Sequence, residues 1–160
     1  MDKILLMLGL FVSTPASSEQ LFSYEENPQA WCLAQNIYYE ARGSSYADQV
    51  AVANVVLNRV EDPRFPNTVC KVVRQGPTKK NGLPVKNKCQ FSWYCDGKSD
   101  WAKDRTAWRK AQQLAHKTMR NRYDITEGAT HYHAEYVNPY WKNSMDLIGR
   151  IGEHVYYRWN

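Results

Sequence analysis

The chain has 160 residues, of which 43% are hydrophobic and 13% aromatic, with six Trp and eleven Tyr. That length suits a single domain with its own core, and that aromatic content excludes a disordered chain. The net charge of +5 points to acidic partners such as nucleic acid, anionic membranes or bacterial cell wall, without choosing among them.

Residues 1–18 read as a signal peptide, with a retained anchor as the variant. Lys3 supplies a positive start, residues 4–12 (ILLMLGLFV) an apolar run, and residues 14–18 (TPASS) small side chains for cleavage. Asp2 departs from the usual basic start. An apolar run of about ten residues matches a signal core and is too short for a stable membrane span. Export to the periplasm or cell exterior is therefore expected, with residues 19–160 as the working domain.

Asn27-Pro28 predicts a helix start, Asn27 as the cap and Pro28 in the first turn. Trp31, Ala34, Ile37, Tyr38 and Ala41 recur at helical spacing over residues 29–42, and Gly43 is the stop. A second helix is expected over residues 46–60. Its face of Val50, Ala53 and Leu57 is widened by Val52, Val55, Val56 and Val60, which predicts a central position in the core. Residues 63–66 form a turn, and 68–74 a short apolar segment of open type. Residues 76–88 read as a loop rich in Gly, Pro, Asn and Lys. Residues 90–94 are expected as a strand. Ser99 and Asp100 open a third helix reaching Arg122, with Trp101, Trp108, Ala111, Ala115 and Met119 on one stripe. Residues 129–137 and 153–159 alternate as strands. The class is α+β, with helices first and a small antiparallel sheet late.

Cys32, Cys70, Cys89 and Cys95 form an even set in a chain expected to be exported, which reads as two disulfides with three connectivities open. Cys89 and Cys95 are close enough for a local bridge, which would leave Cys32 with Cys70. No Cys-x-x-Cys pair supports zinc.

Glu40 is the first candidate for chemistry. It sits at a helix C-terminus, where the dipole opposes a negative charge, beside Tyr38 and Tyr39. Both features raise a carboxyl pKa, as a general acid requires. The alternative is a solvated glutamate paired with Arg42. In residues 129–137, His131, His133 and Glu135 would share one face of a strand. That set could ligate a metal, but a third ligand with supporting spacing is missing, so hydrogen-bonding or packing histidines are the expected reading and no metal or other cofactor is assigned. Tyr132, Tyr136, Tyr140 and Trp141 suit either a core or a platform for sugar rings. In CQFSWYC, Gln90 and Ser92 would share one face, with Phe91 and Trp93 on the other. No phosphate loop, Ser-His-Asp spacing or nucleophile elbow occurs.

Taken in order, NIYYEARG, QVAVANVVLNRV with FPNTVCKVV, CQFSW followed by CDG, ATHYHAEYVNPYW and IGEHVYYR resemble the catalytic domain of SleB-type cell wall hydrolases, whose best-known members are the spore-cortex-lytic enzymes. The resemblance covers residues 31–158. It implies a small lysozyme-like α+β fold and cleavage of peptidoglycan glycan strands between N-acetylmuramic acid and N-acetylglucosamine. The glutamate of the family's E-A-R-G motif falls on Glu40. Family members often continue E-A-R-G-E, whereas this chain has Ser44. Glycosidases that hydrolyse ordinarily use two carboxylates, and Asp48, Asp96 and Glu135 carry no supporting motif as the second. A lytic transglycosylase manages with one, so that chemistry is favoured over a hydrolytic muramidase. Gln90, Ser92, Tyr132, His133 and Trp141 are the subsite candidates. A monomer acting on peptidoglycan is expected, with no nucleic acid partner. A non-catalytic glycan-binding module and a metal-dependent amidase using His131 and His133 are the competing classes. Phage lysins and bacterial wall-remodelling enzymes would look alike at this length.

Overall fold

The computed structural model describes residues 21–160, so the expected signal segment lies outside the described residues. The order is α1 (Pro28–Ala41), α2 (Tyr46–Glu61), α3 (Val69–Val73), a 3-10 turn at Ser92–Cys95, α4 (Arg105–Arg120), β1 (His131–Ala134), a 3-10 turn at Tyr140–Ser144, β2 (Asp146–Ile151) and β3 (His154–Arg158). Helices come first and a three-stranded antiparallel sheet, ordered β1-β3-β2, comes last.

The helix starts follow their caps. The Asn27 side chain accepts from the Ala30 amide, with Pro28 in the first turn, and Ser45 accepts from Asp48. Each satisfies an amide that the helix itself leaves unpaired. α2 is central, as its broad apolar circumference predicts. Ala53, Val56 and Leu57 pack with Leu33 and Ile37 of α1, Val72 and Val73 of α3, and Trp108, Leu114 and Ala115 of α4. The opposite side of α2 meets the sheet, where Ala51 and Val55 pack with Ala129 and Tyr156. The disulfides are Cys32–Cys70 and Cys89–Cys95. The first clamps α3 onto α1.

Three expectations need correction. Residues 90–94 are not a strand: Ser92–Cys95 is a 3-10 turn. A six-residue extended run would span about 20 Å, but the Cys89–Cys95 bridge holds its Cα atoms 6.1 Å apart. The in-out pattern survives the change, with Phe91 and Trp93 buried and Gln90 and Ser92 exposed. Trp93 Nε1 donates to Asn36 Oδ1 at 3.1 Å, which satisfies two polar groups inside the core. α4 begins at Arg105, capped by Asp104, rather than at Ser99. Trp101 consequently leaves the buried stripe and is 64% exposed. Finally, β2 was not expected. Gly149 breaks the alternation there, and the register shifts between Leu147 and Gly149.

One carboxylate joins the two halves. Asp48, in the first turn of α2, is fully buried. It accepts from the Tyr156 hydroxyl at 2.7 Å, from His154 Nδ1 at 2.9 Å and from the Glu153 amide at 3.2 Å. The β2–β3 turn can come this close only because residue 152 is glycine: φ is +59°, and a Cβ there would lie 2.6 Å from Asp48 Cβ. Gly152→Ala combines left-handed strain with a clash against a buried side chain, and is expected to cost more than about 2 kcal/mol. Urea unfolding of the variant beside the parent measures it; an unchanged midpoint would contradict the packing described.

Candidate active site

Glu40 is the penultimate residue of α1 and is half-buried. Its Oε2 accepts from the Tyr132 hydroxyl at 2.9 Å. Tyr132 is on β1 and pairs with Tyr156 of β3, so both rings share the face of the sheet that looks at α1 and α2. The His154 ring stands edge-on to Tyr132 with centroids 5.0 Å apart. The Asp48 bonds therefore fix His154 and Tyr156, and these in turn fix the hydroxyl that meets Glu40.

Burial raises the Glu40 pKa above the ordinary value of 4.5, and only part of that rise is offset by the Tyr132 hydrogen bond and the positive fields of His154 and Arg59. The carbonyl ends of the α1 peptide dipoles push in the same direction. Asp48 shows the opposite balance. Burial alone would raise its pKa, but the bonds from His154 and Tyr156 bring it below the usual aspartate value. The difference is the number of donors: three reach Asp48, one reaches Glu40. Burial with few donors raises a carboxyl pKa, and several donors lower it.

The aromatic neighbours expected for Glu40 are reassigned. Tyr38 turns toward α4, where its hydroxyl accepts from the Asp104 amide at 3.0 Å, and Tyr39 stacks on Trp93. The ring that touches Glu40 comes from Tyr132, 92 residues away. Nor does Arg42 pair with Glu40; it donates to Tyr38 O and lies over the Tyr38 ring.

Arg59 is a participant that the sequence reading missed. It is 5% exposed, its Nε donates to Thr130 O at 2.7 Å, and its guanidinium is sandwiched by Phe65 and Phe91. Its Nη1 is buried without a partner. Burial lowers its pKa to about 10, and Tyr132 and Glu40 act against that fall. A fixed cation in a low-dielectric setting favours the charged form of the Glu40 carboxyl.

The other candidates separate. Gln90 and Ser92 are exposed on either side of Phe91, whose ring touches Arg59. His133 and Trp141 lie on the opposite face of the sheet from Tyr132. His133 Nε2 is 3.1 Å from the Tyr157 hydroxyl, and Trp141 packs on His131, His133 and Tyr157. Glu135 leaves the strand and pairs with Arg150. His131 is crowded by Phe65, Trp141 and Trp159, and burial, with Arg59 and Arg64 nearby, depresses its pKa to about 4.

A carboxyl with a raised pKa at a helix end, faced by a tyrosine and acted on by a buried cation, is a candidate acid–base site. The matches to known proteins give it a family. Residues 43–157 match the family model described as Cell Wall Hydrolase, and the chain belongs to that family. The match opens at Gly43, three residues after Glu40. The chain is 34% identical over 125 residues to the spore cortex-lytic enzyme of Halalkalibacterium halodurans and to that of Bacillus subtilis strain 168, covering 78% of this chain in each case. It spans about a third of those relatives, 33% and 35% of their lengths. The catalytic domain of a germination-specific lytic transglycosylase, SleB from Bacillus anthracis, superposes with a TM-score of 0.62 at 27% identity, over 91% of this chain and 100% of that one. The catalytic domain of Bacillus cereus SleB superposes at 0.56 with 28% identity, over 82% of this chain and 91% of that one.

The raised pKa carries a stability consequence with a definite sign. The folded state holds the Glu40 proton more tightly than the unfolded chain. Its contribution is fully present below the ordinary value of 4.5 and is lost as pH rises through the higher folded value. Glu40→Gln mimics the protonated group at every pH. The variant is expected to melt above the parent at pH 7 and together with it near pH 4; calorimetry across that range checks this, and equal melting at both ends would refute the buried-proton assignment.

Proposed function

We propose that this chain cleaves the glycan strand of peptidoglycan between N-acetylmuramic acid and N-acetylglucosamine as a lytic transglycosylase, with Glu40 as both acid and base. One observation carries the reading: among the described residues the Glu40 carboxyl touches a single donor, Tyr132, burial raises its pKa, and the buried Arg59 cation acts on it. Family membership and the likeness to a lytic transglycosylase catalytic domain support the same chemistry.

Glu40 gives its proton to the glycosidic oxygen as the bond to muramic acid C1 breaks. The carboxylate left behind is held by the Tyr132 hydroxyl and the Arg59 field. It then takes the proton of the muramic acid C6 hydroxyl while O6 bonds to C1, closing a 1,6-anhydro ring. Glu40 ends protonated, one C–O bond has replaced another, and no water is consumed. Exchange with a single group needs a pKa that lets the proton leave and return, and burial opposed by one hydrogen bond and one cation provides it. In this reading Tyr132, Gln90 and Ser92 border the sugar rings flanking the cut. His133 and Trp141 brace the far face of the sheet, and no cofactor takes part.

A hydrolytic course has one observation in its favour. Ser44 Oγ donates to Glu153 Oε2 at 3.4 Å. The β2–β3 turn thus brings a carboxylate to the position where relatives often carry a glutamate in sequence, and a second carboxylate could activate water.

Two outcomes decide. Glu40→Gln is expected to fold and to lose sacculus lysis by about 1000-fold or more; lysis at the parent rate would remove Glu40 as the acid. Mass spectrometry of the released muropeptides should find ends lighter by one water than reducing-end muramic acid. Hydrated ends that vanish in Glu153→Gln would establish hydrolysis instead.

A further inference from the structure

α4 carries a surface that the Glu40 site does not use. Trp108, Ala111, Leu114 and Ala115 bury one side of this helix against the core. Arg105, Arg109, Lys110, Lys117 and Arg120 are exposed on the other side. No acidic residue occurs anywhere in α4. Among the described residues none of the five cations forms an ion pair; Lys117 reaches only the Tyr46 phenol, at 3.4 Å. Arg105 even stands in the first turn, where the helix dipole disfavours a cation. From Arg105 to Arg120 the charges run about 22 Å along one side of the rod.

We infer that this face binds a linear wall polymer with a phosphodiester backbone, holding the chain on the wall while Glu40 works on the glycan. The inference rests on the wall-lytic reading for where such a polymer is met. A convex row of charges suits an extended strand running along it, not a small anion. Three of the five are arginines, whose planar forks match phosphate oxygens in pairs. A bilayer fits less well. The residues between the cations are Thr106, Gln113 and His116, the exposed apolar side chain of the helix is Met119 alone, too little to anchor in lipid, and the apolar side of α4 is already occupied by the core.

The test compares the full chain with Arg109→Gln/Lys110→Gln/Arg120→Gln and with a control of equal charge, Lys79→Gln/Lys80→Gln/Lys88→Gln in the loop. Each is co-sedimented with sacculi bearing phosphodiester polymer and with the same sacculi stripped of it, which retain their stem-peptide carboxylates. The parent is expected to bind intact sacculi about tenfold tighter than stripped ones, and the α4 variant to lose about that factor, as three exposed charge pairs allow. The loop control should stay within about twofold of the parent, and raised salt should abolish the difference. Soluble glycan fragments should be cut by the α4 variant at the parent rate, which shows it folded. Glu40→Gln should bind sacculi as the parent does, so failure of Glu40 as the acid and failure of this face are read separately. Equal binding to stripped sacculi, an equal loss in the loop control, or tighter binding to phosphatidylglycerol vesicles or single-stranded DNA would overturn the proposal.

Discussion

The buried carboxylate of Asp48 is the constraint on which the rest of this molecule depends. It sits in the first turn of α2 and binds three donors of the last strand and its turn, more than a hundred residues later. A buried anion left unpaired would cost several kcal/mol. The helical layer and the sheet are thus tied by a group whose charge needs both. The apolar contact between α2 and the sheet is small, four fully buried residues, so direction and register come from the polar bonds.

From that tie follows the placement of Tyr132. It shares a sheet face with Tyr156 and lies against His154, both held by Asp48. Its hydroxyl therefore arrives at Glu40 with little freedom. The two carboxyls differ chiefly in the hydrogen bonds they accept. Asp48 collects donors until they outweigh burial and lower its pKa; Glu40 has one donor, and burial raises its pKa. Arg59 supplies the remaining balance, a cation desolvated between two phenyl rings. Environment, not residue type, sets the pKa values of these two carboxyls apart.

Much of this was legible in the sequence where the cause is local. The cap at Asn27, the stop near Gly43 and the breadth of apolar residues on α2 all act within a few residues, and the structure follows them. Glu40 was legible as a carboxyl at a helix end. Elsewhere a non-local cause prevailed. The 90–94 segment alternates like a strand, yet a disulfide folds it back. Trp101 has helical spacing to Trp108, yet Asp104 caps the helix after it. β2 has a glycine where alternation should persist and borrows its order from β3. The buried roles of Asp48 and Arg59 were not legible, because their partners lie at the far end of the chain.

The amino-acid sequence by itself determined the helices, the late sheet, the class of the fold and the carboxyl at the end of α1, because propensity, capping and periodicity are properties of neighbouring residues. Only the tertiary structure decided which tyrosine faces Glu40, that Asp48 is a buried anchor between α2 and the sheet, and that Arg59 is buried. Burial and long-range hydrogen bonds set those outcomes, since the protonation of a carboxyl depends on the donors and the dielectric around it, and here these come from segments some 90 to 106 residues apart.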